Sequence, residues 1–344
     1  MAARTLPAIL AACWCSAVCS LAAGHGPRRS LHAPWGGDAP PARPIAQRRP
    51  SFLSAQVVVR RPRRSRVAYF VYSDSFFLDT RLSYIRNTWA QGVRPGGLNV
   101  IGDSAYRGNA SGMNFVATPC PKNSHGVGLC CKFAEAVRQA HRQMQQDPSI
   151  EWAYFIDDDV YVRPEALERA LAHQEDPEDK GVVIGIYGCA DRGCSGLCGG
   201  GGYAASRRAI EKAIGGGEEQ FQKAEMDSCN KCGMWSDIAI TEIYRDKHID
   251  LRSIGGLYPW KVKKGQFDQM LDMQEEPITF HYVETQEQME FLHSLFAGAG
   301  KSHDGDVDPR RCASYRGRVV CAQSESSFDA PWYQDDATED EMMM

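Results

Sequence analysis

The chain has 344 residues, and it has little of what marks several large classes of protein. It has no excess of basic residues: 39 Lys and Arg stand against 43 Asp and Glu, for a net charge of −4. That balance argues against a nucleic-acid partner. It has only one long apolar run, so it is not a multipass membrane protein. Its 32 glycines and 18 prolines follow no fixed period, which excludes a collagen-like chain. No internal repeat appears. Apolar residues are not scarce, at 43%, so a core can form and wholesale disorder is excluded. The length suits one large domain, or one domain with appendages.

The apolar run, Leu6 to Ala23, admits two readings. It is either a cleaved signal peptide ending in Ala22-Ala23-Gly24 or an uncleaved anchor approaching one membrane span. Basic residues flank both sides, so charge does not decide its orientation. Either reading sends the rest of the chain into the secretory pathway, as a type II membrane protein or a secreted one. Residues 1–23 are therefore set apart from the fold. Residues 24–65 are rich in Pro and Arg and read as a stem. Residues 326–344 form an acidic tail with the composition of a disordered segment.

Thirteen cysteines are present. Three lie in the leader, and the ten others form an even set compatible with disulfides in an oxidising compartment. Cys194-x3-Cys198 with Cys229-x2-Cys232 also has the spacing of a four-cysteine zinc site. Asn109-Ala110-Ser111 is an N-glycosylation sequon, which marks Asn109 as an acceptor in such a compartment.

From residue 66 onward, strand and helix patterns alternate. Arg66–Tyr72, Leu98–Asp103, Asn114–Thr118 and Trp152–Ile156 read as strands. Thr80–Trp89 and Leu129–Gln145 read as helices, and Arg163-Pro164-Glu165 opens another. This order predicts an α/β domain over residues 66–325 with a largely parallel sheet.

The chemistry gathers at Asp157-Asp158-Asp159, which follows a buried-looking strand and precedes Val160-Tyr161-Val162. Three adjacent carboxylates repel, and a divalent cation offsets that cost. Hard cations such as Mg²⁺ and Mn²⁺ take carboxylate and phosphate oxygens. At the C-terminal edge of a parallel sheet such a group faces the usual ligand crevice. A diphosphate becomes a good leaving group once a cation neutralises its developing charge. In the secretory pathway the obvious diphosphate substrate is a nucleotide sugar. The competing reading is a solvated acidic turn. Gly199-Gly200-Gly201-Gly202 does not fit a dinucleotide fingerprint. These glycines read either as a flexible loop or as a wall of the site approached closely by ligand. Trp152 and Trp235 read as core residues.

Trp152 through Val162 resembles the donor-metal motif of fringe-type glycosyltransferases, glycosyltransferase family 31. Other segments resemble this family in the same order. They are Arg81 through Trp89, Cys120-Pro121 to Cys131-Lys132, Gly199 through Ser206, Trp235-Ser236-Asp237-Ile238, and the pair Cys312 and Cys321. The resemblance implies a GT-A fold, a UDP-sugar donor, Mn²⁺ or another divalent cation, and inversion, usually with a β1,3 linkage. It implies that Arg81, Asp157 and Asp158 hold the donor, that Asp159 binds the metal, and that Asp237 is the catalytic base. Gly200, Gly201 and Gly202 would wall the site. Cys120–Cys131 and Cys312–Cys321 would be disulfides, leaving six cysteines for three further bridges.

Two departures stand out. The family disulfide between the donor-motif strand and the glycine loop is replaced by Tyr154 and Ala204. The family's metal-binding histidine is missing, since its region reads Gly256 to Lys261. His281 is the nearest substitute as a metal ligand, although a core or surface role suits it as well. The expected activity is transfer of N-acetylglucosamine or galactose to a glycan or glycoprotein acceptor in the Golgi or secretory lumen. The alternative is an inactive relative that binds glycan or assists folding.

Overall fold

The structure, a computed structural model, describes residues 66–104, 106, 113–122, 125–174, 180–261 and 276–297, with the backbone of 312–315 and 318–321. The expected leader, stem and acidic tail, and Asn109, lie outside the described residues.

In chain order the strands are β1 (Val67–Tyr72), β2 (Leu98–Asp103), β3 (Asn114–Thr118), β4 (Trp152–Asp157), β5 (Tyr161–Val162), β6 (Val182–Gly185) and β7 (Tyr187–Asp191). They continue as β8 (Cys194–Leu197), β9 (Tyr203–Ser206), β10 (Asp250–Ser253), β11 (Leu257–Tyr258), β12 (Thr279–Phe280), β13 (Cys312–Tyr315) and β14 (Arg318–Cys321). The helices are α1 (Leu78–Asn87), α2 (Val127–Gln146), α3 (Pro164–Ala172), α4 (Arg207–Ile214), α5 (Glu218–Lys231), α6 (Ser236–Asp246) and α7 (Gln286–Ala297).

Seven strands form the main sheet in the order β10-β6-β9-β4-β1-β2-β3. All run parallel except β9, which lies antiparallel between β4 and β6. This is the mostly parallel α/β domain that the alternating pattern predicts. β1 and β4 are buried along nearly their whole length, which is why they read as continuous apolar runs rather than alternating ones. Successive side chains still point to opposite faces. Tyr69, Val71, Tyr154 and Ile156 face α1, α3 and α7, while Phe70, Tyr72, Ala153 and Phe155 face α2, α4, α5 and α6. Pro164 occupies the first turn of α3, where its missing N–H costs nothing. Trp89 lies beyond α1, in a separate 3-10 turn over Trp89–Gly92. Three short strands, β11-β12-β5, make a second sheet that returns residues near 280 to the end of the aspartate segment. Among the described residues no helix is long and apolar enough to cross a membrane.

Four disulfides lie among the described residues: Cys120–Cys131, Cys130–Cys229, Cys189–Cys198 and Cys194–Cys232. The first is the pair the resemblance implies. The other three use all six remaining cysteines, so the four-cysteine zinc arrangement fails: its members are spent on different bridges. Cys312 and Cys321 stand opposite one another across the β13–β14 hairpin backbone; their side chains lie outside the described residues. Trp152 is 4% exposed and packs in the core. Trp235 is 50% exposed, which corrects the expectation that it is a core residue. It sits immediately before α6 and hydrogen-bonds outward, with Nε1–H donating to Asp191 Oδ2 at 2.9 Å.

Phe155 stacks 5.5 Å from Phe70 and 5.4 Å from Tyr203, fully buried. Phe155→Ala is expected to cost about 3–5 kcal/mol of stability, read by urea unfolding. Non-reducing peptide mapping is expected to recover Cys130–Cys229, Cys189–Cys198 and Cys194–Cys232 as linked peptides and no zinc bound to those cysteines.

Candidate active site

The three aspartates straddle the end of β4. Asp157 is its last residue, in register with Tyr72 at the end of β1. That pairing sets Ser73 and Asp158 side by side as the two strands end. Ser73 Oγ–H donates to Asp158 Oδ2, and Arg81 Nη1 donates to Asp158 Oδ1 at 2.5 Å. Arg81 also lies 3.7 Å from Asp159 and 3.8 Å from Glu284, with its guanidinium 4.0 Å over the Phe77 ring. Two residues expected to hold the donor, Arg81 and Asp158, thus hold each other. Burial pushes the Asp158 carboxyl up to about 6, against the opposing pull of Arg81.

Asp157 and Asp159 turn towards His281. One ligand atom from each of the three lies within 4.8 Å of the others. His281 follows β12 directly. Its Nδ1–H donates to the carbonyl of Pro259 at 2.8 Å, which directs Nε2 to Asp159 Oδ1, 3.3 Å away. This is the second-shell contact that commonly orients a metal-binding imidazole. Burial opposes a proton on His281, but Asp159 and Asp157 outweigh it and raise the imidazole to about 9. Burial likewise opposes charge on Asp159, and His281 reverses that to leave the carboxyl lowered. Burial, then the neighbouring Asp159, raise the Asp157 carboxyl to about 8.

The residues fit a divalent cation. Asp159 Oδ1 is buried with no aligned hydrogen-bond donor, and two carboxylates with an imidazole that yields its Nε2 proton on binding are a donor set for such an ion. Asp157, expected to hold the donor, groups with the metal-binding candidates instead.

Asp237 lies in the first turn of α6. Its Oδ2 accepts from Gly199 N–H at 2.6 Å and its Oδ1 from Ile238 N–H at 2.9 Å. Burial raises its carboxyl, while these N–H groups oppose that rise. The glycines join the two halves of the site. They form a 3-10 turn over Gly199–Gly201, so they are neither a loose loop nor a dinucleotide cradle. A Cβ on Gly199 would stand 2.8 Å from Asp237 Cβ, and one on Gly200 would enter the His281 ring and stand 2.8 Å from the Pro259 carbonyl. Gly202 has φ +72 and would press on Ile156 and Tyr154. Gly201 offers its carbonyl to Tyr154 Oη at 2.8 Å and Thr279 Oγ1 at 2.7 Å. Tyr154 and Ala204 are register partners across β4 and β9. The tyrosine hydroxyl therefore ties strand to turn.

Two participants escape sequence reasoning. Ser73 and Pro259 carry no motif of their own. Only the strand register and the return of β12 reveal them.

Residues 69–188 match the family model described as Fringe-like. Over that stretch the chain is similar to fringe-like proteins. None of the curated proteins compared with the chain matches it. Two solved structures are distantly similar. One is a glycosyltransferase involved in glycosylation of the major capsid of PBCV-1, at 9% identity and a TM-score of 0.38, covering 65% of this chain and 98% of that one. The other is the glycosyltransferase GlyE of Streptococcus pneumoniae TIGR4, at 13% identity and a TM-score of 0.35, covering 63% of this chain. The chain spans 54% of the length of GlyE. Both likenesses are distant and carry no argument.

Gly200→Ala is expected to displace His281 from Pro259 while leaving the fold intact. Isothermal titration with Mn²⁺ should then show at least about a tenfold loss of affinity, the size seen when an orienting partner of a ligand is lost.

Proposed function

We propose that the chain is a metal-dependent, inverting glycosyltransferase of the secretory pathway. It moves N-acetylglucosamine or galactose from a UDP-sugar to a hydroxyl of a glycan acceptor, with a β1,3 linkage. The observation that carries this reading is the glycine turn, which abuts Asp237 through Gly199 and His281 through Gly200. One turn thereby holds a buried carboxylate beside an Asp157–Asp159–His281 cluster.

Asp159, His281 and Asp157 would hold the cation, Mn²⁺ by preference. Bound there, it supplies neutralisation of the charge that gathers on the departing diphosphate. Arg81, fixed by Asp158, adds a permanent positive charge to the same wall. Asp237 takes the proton of the acceptor hydroxyl as that oxygen bonds to the anomeric carbon, and the bond from that carbon to the diphosphate breaks with its electron pair leaving on the diphosphate. A single displacement of this kind inverts the anomeric centre and needs one base. The N–H groups of Gly199 and Ile238 orient the carboxylate and leave each oxygen a free lone pair for the hydroxyl. The N-terminal end of α6 favours its ionised form.

The four disulfides suit an oxidising lumen, and they support placement in the Golgi or secretory lumen. His281, grouped with Asp157 and Asp159, supports the active reading over that of an inactive relative.

UDP release by the purified chain, across UDP-sugars with Mn²⁺ or EDTA, tests the reading. Release should require metal and fall to background in Asp159→Ala; release from no donor, with a glycan acceptor library present, sinks it. Asp237→Asn is expected to lower kcat by about 10²- to 10⁴-fold. Because burial raises Asp237, wild-type activity should fall as pH drops through a midpoint above the usual aspartate value of about 3.9, measured as kcat against pH.

A further inference from the structure

Three large aromatic side chains remain open to solvent beside the residues that shape the site. They are Trp235 at 50%, Trp260 at 62% and Tyr282 at 39%. Trp260 follows Pro259, Tyr282 follows His281, and Trp235 comes two residues before Asp237. Trp235 is the one whose position is built by its surroundings. Its indole N–H is held by Asp191. Asp191 ends β7 directly opposite Cys194 in the hairpin, and Cys194 is bridged to Cys232, three residues before Trp235. Met234, between them, is held at φ 66, a region that costs a non-glycine residue free energy. A disulfide, a strained residue and a hydrogen bond thus fix a half-exposed apolar ring two residues before Asp237 in the chain. A ring held in this way is open to a ligand.

We propose that Trp235 is the platform for the acceptor, and that the acceptor presents a pyranose ring there. This rests on the transfer reading above. A pyranose has a face of C–H groups and a rim of hydroxyls. The indole offers an apolar plane for the first. Asp191, bonded to the indole N–H, offers acceptor oxygens for the second. A hydroxyl within reach of Asp237 places the rest of its ring over residues next to Asp237 in the chain, since two residues span at most about 7 Å. Fixing the indole beforehand spares the ordering cost that a mobile side chain would add to binding.

The test uses the full chain with UDP and Mn²⁺ in saturation-transfer NMR against methyl pyranosides of galactose, glucose, N-acetylglucosamine and N-acetylgalactosamine. At least one pyranoside should receive saturation through its C–H protons in wild type and in Trp235→Phe, and lose it in Trp235→Ala. In transfer assays Trp235→Ala should raise the acceptor KM by about tenfold, the scale of a lost aromatic contact, with kcat and the donor KM moving much less. Should Trp235→Ala fail to fold, Trp235→Leu keeps the bulk, loses the π face, and is read the same way. An undiminished signal or an unchanged acceptor KM in these variants overturns the proposal. So does a wild-type chain that binds an unglycosylated Ser/Thr peptide but no pyranoside. Wild-type turnover of donor combined with any of these results sinks the platform alone, whereas absence of turnover with every donor and acceptor sinks the transfer reading.

Discussion

Four carboxylates crowded at one end of a sheet set the terms for everything around them. Two like charges in contact near a protein surface cost about 4 kcal/mol, and Asp157, Asp158, Asp159 and Asp237 come together from only two elements. The protein answers each differently. Asp158 receives a guanidinium and a hydroxyl, Asp159 faces an imidazole, and Asp237 receives two backbone N–H groups at the start of a helix. Asp157 shares His281 with Asp159, and burial with the neighbouring Asp159 raises its carboxyl to about 8. A cation bound between the two carboxylates would offset that repulsion.

The surrounding architecture follows from that need. β9 enters antiparallel beside β4, which brings the chain back past the end of β4 through the glycine turn. Each glycine then yields space to a different neighbour: Gly199 to Asp237, Gly200 to His281, Gly202 to Tyr154 and Ile156. The turn is thus packed against both His281 and Asp237. Tyr154 contributes to the same end. Its hydroxyl, beside that of Thr279, holds the Gly201 carbonyl, a buried polar tie within the core.

The sequence discloses β1 to β4 and α2 because each is a sustained pattern of a single period. The aspartate triplet is legible for the same reason, as charge set abruptly against an apolar run. His281 is only partly legible, since nothing local to Ile278–Tyr282 indicates that β12 pairs with β5 and returns to Asp159. Ser73 is invisible for a related cause: its role depends on the Tyr72–Asp157 register, a property of two strands and of neither alone. Trp235 misleads because Met-Trp-Ser before an amphipathic helix resembles an ordinary buried helix start. Its exposure is decided by Asp191, from a hairpin more than forty residues earlier.

That hairpin shows why the cysteines belong to the site as much as to the fold. β7 is exposed or only partly buried along its length, and two paired strands on their own are marginal in water. Burial therefore cannot hold Asp191 in place. Cys189–Cys198 ties the hairpin to the start of the glycine turn, and Cys194–Cys232 ties it to the end of α5. Cys130–Cys229 anchors α5 in turn to α2. The three bridges form a covalent path from the core helix to the two walls of the site, one bearing Asp237 and Trp235, the other the glycine turn. Reduction would first release the hairpin, because it has the least burial to fall back on. It follows that an oxidising compartment is a condition for the geometry of this site, beyond its contribution to stability.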